Sequence, residues 1–373
     1  MPPKDHPLLT RCALQCWTMS LLMLLTLGAF TATEAATSET PKRTIQDRLK
    51  QRVYQRMMAK AEEHTYTDYQ QMGFSERHLR VGDVTRVFLV KQPPSSVSAK
   101  RPLVLLLHGG IQSMRKVFEG QAGGAKAWPG LAEREGFVLL VPNAGNPETG
   151  DPTSNFQAWN DLRNTGEWYQ HPLDDVAFIR ALVAWSHATL GTDPNRTYVT
   201  GASNGGMMTQ RLLLEAPELF AAGAAFISAL PSETAILPRA KQPTPLLLAN
   251  GTADPMVLWQ GGPISQFRRE TRSVTATVQW WVSANNANAI PTAPVSLPDR
   301  DPADGCSLSQ VDYAPQPGGA VVRFITMLGS GHAMPSIAYP IPTTGLIKKN
   351  IGTACKDVEG AELAWDFLKQ FQR

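Results

Sequence analysis

Pro102-Leu-Val-Leu-Leu-Leu-His108 is an apolar run without polar alternation. A strand with one face in water alternates apolar and polar residues. An unbroken run therefore marks a strand buried on both faces, and such strands belong to parallel sheets covered by helices. The rest of the chain repeats the pattern. Apolar runs over residues 137–142, 196–201, 222–227, 245–250 and 320–327 alternate with helical stretches over 125–135, 173–190, 205–216, 265–287 and 358–371. Residues 78–90 alternate around Gly82-Asp83, the signature of a two-stranded hairpin. The Pro- and Asp-rich stretch 291–305 reads as a loop. The expected fold class is α/β, a mostly parallel central sheet with helices on both faces.

The first residues follow a different logic. Lys4 and Arg11 precede an apolar run from about Leu14 to Phe30, and small residues follow at Thr33, Ala35 and Ala36. This is the pattern of a secretory signal peptide over residues 1–35, removed in the mature protein. A retained membrane anchor is the alternative, weakened by Gln15, Thr18, Ser20 and Thr26 within the run. Residues 36–75 form a basic arm. Ile45, Leu49, Val53 and Met57 recur every four residues, predicting a helix over 44–63 whose outer face is basic. The remainder, 76–373, is expected to be one catalytic domain. Net charge is only +3 and the basic residues concentrate in the arm, so no groove suited to nucleic acid is indicated.

Cys12 and Cys16 would leave with the signal peptide, and Cys306 and Cys355 remain. In an oxidising compartment a remaining pair is expected to be bridged, with two buried thiols as the alternative. Neither a His-Glu-x-x-His helix nor a cysteine–histidine cluster is present, so no metal and no cofactor are expected.

Gly201-Ala202-Ser203-Asn204-Gly205 matches G-x-S-x-G between an apolar strand and a helical stretch. That spacing has a steric cause: the serine sits on a strained strand-to-helix turn where side chains two residues before and after would collide. Ser203 is the candidate nucleophile. A serine hydroxyl needs a base, and the base needs a group to orient it; on this kind of turn the acid and then the histidine follow the serine in the chain. His332, in Gly329-Ser-Gly-His-Ala-Met-Pro335, is the one histidine after Ser203. Asp254 is the candidate acid because it follows the apolar strand 245–250 directly, where ligands and catalytic groups collect in open α/β sheets. The oxyanion donors expected are the backbone N–H groups of Asn204 and of Gly110, in the His108-Gly109-Gly110 turn after the first buried strand.

Together, Leu107-His-Gly-Gly110, Asn155-Phe-Gln-Ala-Trp-Asn-Asp161, Asp174-Asp-Val-Ala-Phe178, Gly201-Ala-Ser-Asn-Gly-Gly-Met-Met208, Gly251-Thr-Ala-Asp254 and Gly331-His332 resemble the secreted polyhydroxybutyrate depolymerase-like and feruloyl-esterase-like branch of the α/β-hydrolases. The resemblance spans roughly residues 78–372. It implies a Ser203–Asp254–His332 triad, an oxyanion hole shaped by the His-Gly-Gly turn, and hydrolysis of hydroxyalkanoate, hydroxycinnamoyl or acetyl esters. Polymer-degrading members often carry a further binding module after the catalytic domain, so a small or soluble ester is expected here over a solid polymer. It implies nothing about the basic arm.

Trp159 and Trp259 are candidate substrate walls, because an apolar acyl or phenolic group needs a desolvated surface; a structural anchor is the alternative for each. Trp185 and Trp365 are expected in the core, and Asp174 and Asp175 as helix caps. The expectation is a secreted serine esterase with a small or polymeric ester substrate, no nucleic-acid partner and no stable membrane insertion after signal cleavage. An acyltransferase or peptidase of the same fold would share every motif, and a non-catalytic binding protein is the reading from another class.

Overall fold

Because successive side chains of a strand point to opposite faces, the apolar run 102–107 feeds two cores at once. In the computed structural model Leu103, Leu105 and Leu107 join one buried cluster, while Val104 and Leu106 join the other. The structure describes residues 45–94, 100–120, 123–163, 172–233, 236–264, 269–342 and 344–373. The expected signal peptide and the first part of the arm lie outside these residues. The chain divides into Met1–Asp47, of which only 45–47 are described, and Arg48–Arg373, which holds the entire sheet.

In chain order the elements are α1 Ile45–Glu63, α2 Asp68–Gln71, β1 Ser75–Val81, β2 Val84–Lys91, β3 Arg101–Leu107, α3 Trp128–Glu135, β4 Val138–Pro142, α4 Asp175–Leu190, β5 Thr192–Ala202, α5 Asn204–Glu215, β6 Ala222–Phe226 and β7 Leu246–Gly251. They continue with β8 Gly262–Ile264, β9 Arg269–Thr271, α6 Val274–Ala284, β10 Val295–Ser296, β11 Ser307–Tyr313, β12 Val322–Leu328, α7 Gly345–Ile351 and α8 Gly360–Leu368. Ten strands form one sheet in the order β1-β2-β4-β3-β5-β6-β7-β12-β11-β10, and β8 and β9 pair separately. The strands from β4 to β12 are mutually parallel, while β1, β2, β11 and β10 continue the sheet in antiparallel pairings. This is the mostly parallel sheet of an α/β-hydrolase, with α4, α5 and α6 over one face and α3 and α8 over the other.

Strand order reverses at β3, whose neighbours are β4 on one side and β5 on the other. Such a switch point opens a crevice outside the strand carboxyl ends. The register Leu107↔Gly201 brings the His108-Gly109-Gly110 turn and Ser203 out side by side at that crevice.

Several expectations are corrected. The helix expected over 265–287 begins only at Val274, capped by the Ser273 side chain, which accepts the Ala276 N–H at 3.1 Å; β9 occupies part of the preceding stretch. The helix expected from residue 125 is a 3-10 turn over Gly124–Ala127, and α3 starts at Trp128 with Pro129 in its first turn, where a missing N–H costs nothing. β11 and α7 were not signalled, because half-buried alternation in Ser307–Tyr313 is weak and α7 is short. β10 lies within the expected loop 291–305.

Asp174 caps α4, accepting the Ala177 N–H at 2.9 Å. Asp175 is not a cap: it is fully buried, paired with the Arg86 guanidinium at 2.7 Å, and that guanidinium lies 4.1 Å from the Phe178 ring centroid. Trp365 is buried in the core cluster on the α3–α8 face, and Trp185 packs, partly buried, against the cluster on the opposite face. Past the helix α1, the arm joins the body: Tyr69 and Phe74 belong to a core cluster, and Phe74 packs on Phe118 at 4.8 Å. Cys306 and Cys355 are bridged with Cα atoms 5.4 Å apart. No helix among the described residues is long and apolar enough to cross a membrane.

Candidate active site

Ser203 occupies the single residue between β5 and α5, at φ 57° and ψ −125°. This region disfavours any residue with a Cβ, so the turn must be held by its surroundings. Two glycines make that possible. A Cβ on Gly201 would fall 2.6 Å from the Gly205 backbone, and one on Gly205 would fall 2.2 Å from the Leu107 carbonyl oxygen. The Ser203 N–H donates to the Phe226 carbonyl at 3.0 Å, and the first bond of α5 runs from the Met207 N–H to the Ser203 carbonyl at 2.9 Å. The Asn204 N–H thus precedes the first intrahelical bond, with its donor capacity unspent by the helix.

Asp254 stands in the turn after β7. One carboxylate oxygen accepts the Met256 and Val257 N–H groups at 2.8 and 2.9 Å, and the other meets His332 Nδ1 at 2.7 Å. His332 Nε2 lies 2.9 Å from Ser203 Oγ. A carboxylate can only accept, so Nδ1 carries the imidazole proton and Nε2 is left to accept the serine O–H. The Asp254 side chain is 1% exposed and that of His332 9%.

The His332 loop is pinned by backbone. Gly331 and His332 donate to the carbonyls of Thr353 and Ile351 at 2.7 and 2.5 Å, and Ser336 donates to that of Cys355 at 3.1 Å. A Cβ on Gly331 would sit 2.0 Å from the Ile351 oxygen, so only glycine permits this approach. The disulfide joins Cys355, in the segment receiving these bonds, to Cys306 just before β11.

Gly109 and Gly110 lie across the serine turn. A Cβ on Gly109 would be 3.8 Å from the Ser203 Cβ, and one on Gly110 would be 3.5 Å from the Asn204 Cβ. His108 anchors the turn from below. Its Nδ1 donates to the Gly109 carbonyl at 2.8 Å, and its Nε2 accepts the Ala144 N–H at 3.2 Å. Burial pushes its pKa down to about 4; the bond to Gly109 opposes the shift and nearby Lys116 adds to it. Protonating Nε2 would set a hydrogen against the Ala144 N–H.

Trp159 is not a substrate wall. It is 1% exposed; its indole N–H donates to the His108 carbonyl at 2.9 Å and its backbone N–H to the Asn204 side-chain oxygen at 2.7 Å. The ring therefore serves as an anchor under the glycine turn. Trp259 is half-buried and packs against Phe324, ring centroids 6.0 Å apart. The Asn204 amide was missed from sequence: it donates to the Trp159 carbonyl at 3.0 Å and to Asp161 at 2.6 Å. No local pattern could signal it, since its partners lie more than forty residues away.

Among the described residues one group, Cys306, Cys355 and Asp357, brings potential metal ligands together. Its sulfurs are spent in the disulfide and offer no thiolate.

Residues 131–230 match the prolyl oligopeptidase family, a stretch that includes Ser203 but neither Asp254 nor His332. The chain is 29% identical over 309 residues to the protein NocK of Nocardia uniformis subsp. tsuyamanensis, described as an esterase, covering 78% of this chain and 81% of that one. It is 35% identical over 131 residues to a poly(3-hydroxybutyrate) depolymerase of Ralstonia pickettii, 34% of this chain but only 25% of the depolymerase. Among solved structures, an acetyl xylan esterase from Aspergillus awamori superposes with a TM-score of 0.46 at 16% identity, over 70% of this chain and 95% of that one. Fold and site define a serine hydrolase built on the α/β-hydrolase sheet. With esterases as its relatives, the chain is a carboxylic ester hydrolase similar to the polyhydroxybutyrate depolymerase-like and feruloyl-esterase-like branch.

Proposed function

We propose that Ser203, His332 and Asp254 form the catalytic triad of a secreted esterase working through an acyl-enzyme. The observation that carries this is the single imidazole set 2.9 Å from the serine hydroxyl and 2.7 Å from a buried carboxylate. Ser203 Oγ attacks the ester carbonyl while His332 Nε2 takes its proton, and Asp254 holds the tautomer and stabilises the imidazolium. The tetrahedral oxyanion is held by the N–H groups of Gly110 and Asn204. His332 then returns the proton to the leaving alkoxide, which departs as the alcohol. Water, deprotonated by the same histidine, attacks the acyl-enzyme, and the collapsing intermediate frees the acid and restores Ser203.

The substrate class proposed is a hydroxyalkanoate, hydroxycinnamoyl or acetyl ester, in line with the relatives described as depolymerase, feruloyl esterase and acetylxylan esterase. Secretion is proposed from the charged, apolar and small-residue segments of residues 1–35. The test is hydrolysis of nitrophenyl acetate, butyrate and octanoate, methyl ferulate and a hydroxybutyrate oligomer, with Ser203→Ala as control. Turnover of one ester class that Ser203→Ala abolishes is expected. Ser203-dependent cleavage of aminoacyl nitroanilides with no ester turnover would replace the esterase by a peptidase.

A further inference from the structure

Helix α1 ends against a local rule. Glu62 and Glu63 occupy its last turn, where the helix dipole disfavours carboxylates. A rule broken locally points to a compensating contact elsewhere. For Glu62 that contact is the loop after β4: its carboxylate accepts the Asn155 N–H at 2.9 and 3.2 Å and also the Ser154 hydroxyl.

The same loop supports the glycine turn. The Ile111 N–H donates to the Gln157 carbonyl at 2.8 Å, and the Gln157 N–H donates to that of Gln112 at 2.9 Å. Ser113 Oγ and Arg115 Nη1 each donate to Asn155 Oδ1 at 3.2 Å. Ile111, directly after Gly110, sits at φ 57°, a conformation that a β-branched residue adopts only under outside constraint. Joined by the backbone of residues 155–157 and 110–111, these bonds connect the arm to the oxyanion loop: Glu62 to Asn155, and Gln157 to Ile111, which directly follows Gly110.

We propose that Glu62 is a positioning residue: the basic arm clamps the 154–157 loop and thereby holds the Gly110 N–H at the oxyanion position. The catalytic part of this inference rests on the esterase proposed above. The arm then has a purpose in turnover, although it touches no reacting atom.

The full chain, with Glu62→Ala and Glu62→Gln, is compared by amide hydrogen exchange over residues 108–116 and by steady-state hydrolysis of nitrophenyl acetate. Glu62→Ala is expected to speed exchange in 108–116 and to lower kcat, by up to about 100-fold for a donor displaced by about 1 Å. KM should move less than about twofold, since binding is untouched. Glu62→Gln retains an acceptor oxygen and should restore most of the rate. Unchanged exchange in 108–116 for Glu62→Ala overturns the clamp, and so does faster exchange with unaltered kcat. A parent chain without Ser203-dependent turnover would remove the esterase alone, and exchange would still decide whether Glu62 holds the loop.

Discussion

At Asp254, one carboxylate oxygen is committed to two backbone N–H groups and the other to His332. Asp254→Asn would put an amide where only an acceptor suits the Nδ1–H and would turn the imidazole to the wrong tautomer. The expected result is kcat lower by about 10⁴ with the circular dichroism spectrum unchanged; an unaltered rate would remove Asp254 from the proposed triad. Gly205 makes a steric prediction. Its α-hydrogen faces the Leu107 carbonyl at a distance no methyl group fits, so Gly205→Ala should cost about 3 kcal/mol, read as a lower urea midpoint.

His108 gives a prediction in pH. Its pKa is about 4 in the folded chain against about 6.5 unfolded, so the unfolded state binds the extra proton between those values. The stability from keeping it neutral is fully present above pH 6.5 and is lost as pH falls towards 4, about 3 kcal/mol in all. Urea unfolding of the parent and His108→Gln across pH 4–7 checks this. The parent should lose more stability on acidification, and parallel curves would count against it.

Among the elements, β5, α5 and β3 were legible because their signals are strong and local: an unbroken apolar run, a G-x-S-x-G turn, a glycine pair. The start of α6 was not, because Val274 begins a helix only where Ser273 caps it, while the stretch before it forms β9. β11 escaped for a different reason. Second from the sheet edge, it is half-buried and takes its conformation from pairing with its neighbours β12 and β10 rather than from its own sequence. The bridge between Cys306 and Cys355 ties the start of β11 to the segment that carries the His332 loop. Replacing both cysteines by serine should cost about 4 kcal/mol for a closed loop of this length. Thermal unfolding of the double variant measures it, and the loss should be accompanied by faster exchange in residues 329–336.

Across the molecule, the Arg86–Asp175 pair connects β2 to the start of α4 with both side chains buried. Asp175 also accepts the Asn160 N–H at 2.8 Å, which links this pair to the Trp159–Asp161 loop around Asn204. Arg86→Met would strand a carboxylate in the interior and should cost about 3–5 kcal/mol. Arg86→Met with Asp175→Leu should recover a large part of that loss in a thermal melt. A double variant no more stable than the single would mean that the Asn160 bond, and not the ion pair, matters there.

The α/β class, the apolar strands and the identity of the candidate serine, aspartate and histidine could be read from sequence, because strand burial, the glycine spacing of a strained turn and chain order are properties of adjacent residues. What tertiary structure alone decided are the distances between distant segments. These include the 2.9 and 2.7 Å contacts of His332, the use of Trp159 as an anchor, the Asn204 amide clip and the reach of Glu62 to Asn155. Side chains separated by tens of residues meet only when the sheet register and loop paths are set, and hydrogen bonds that close such loops leave no periodic trace in the residues that make them.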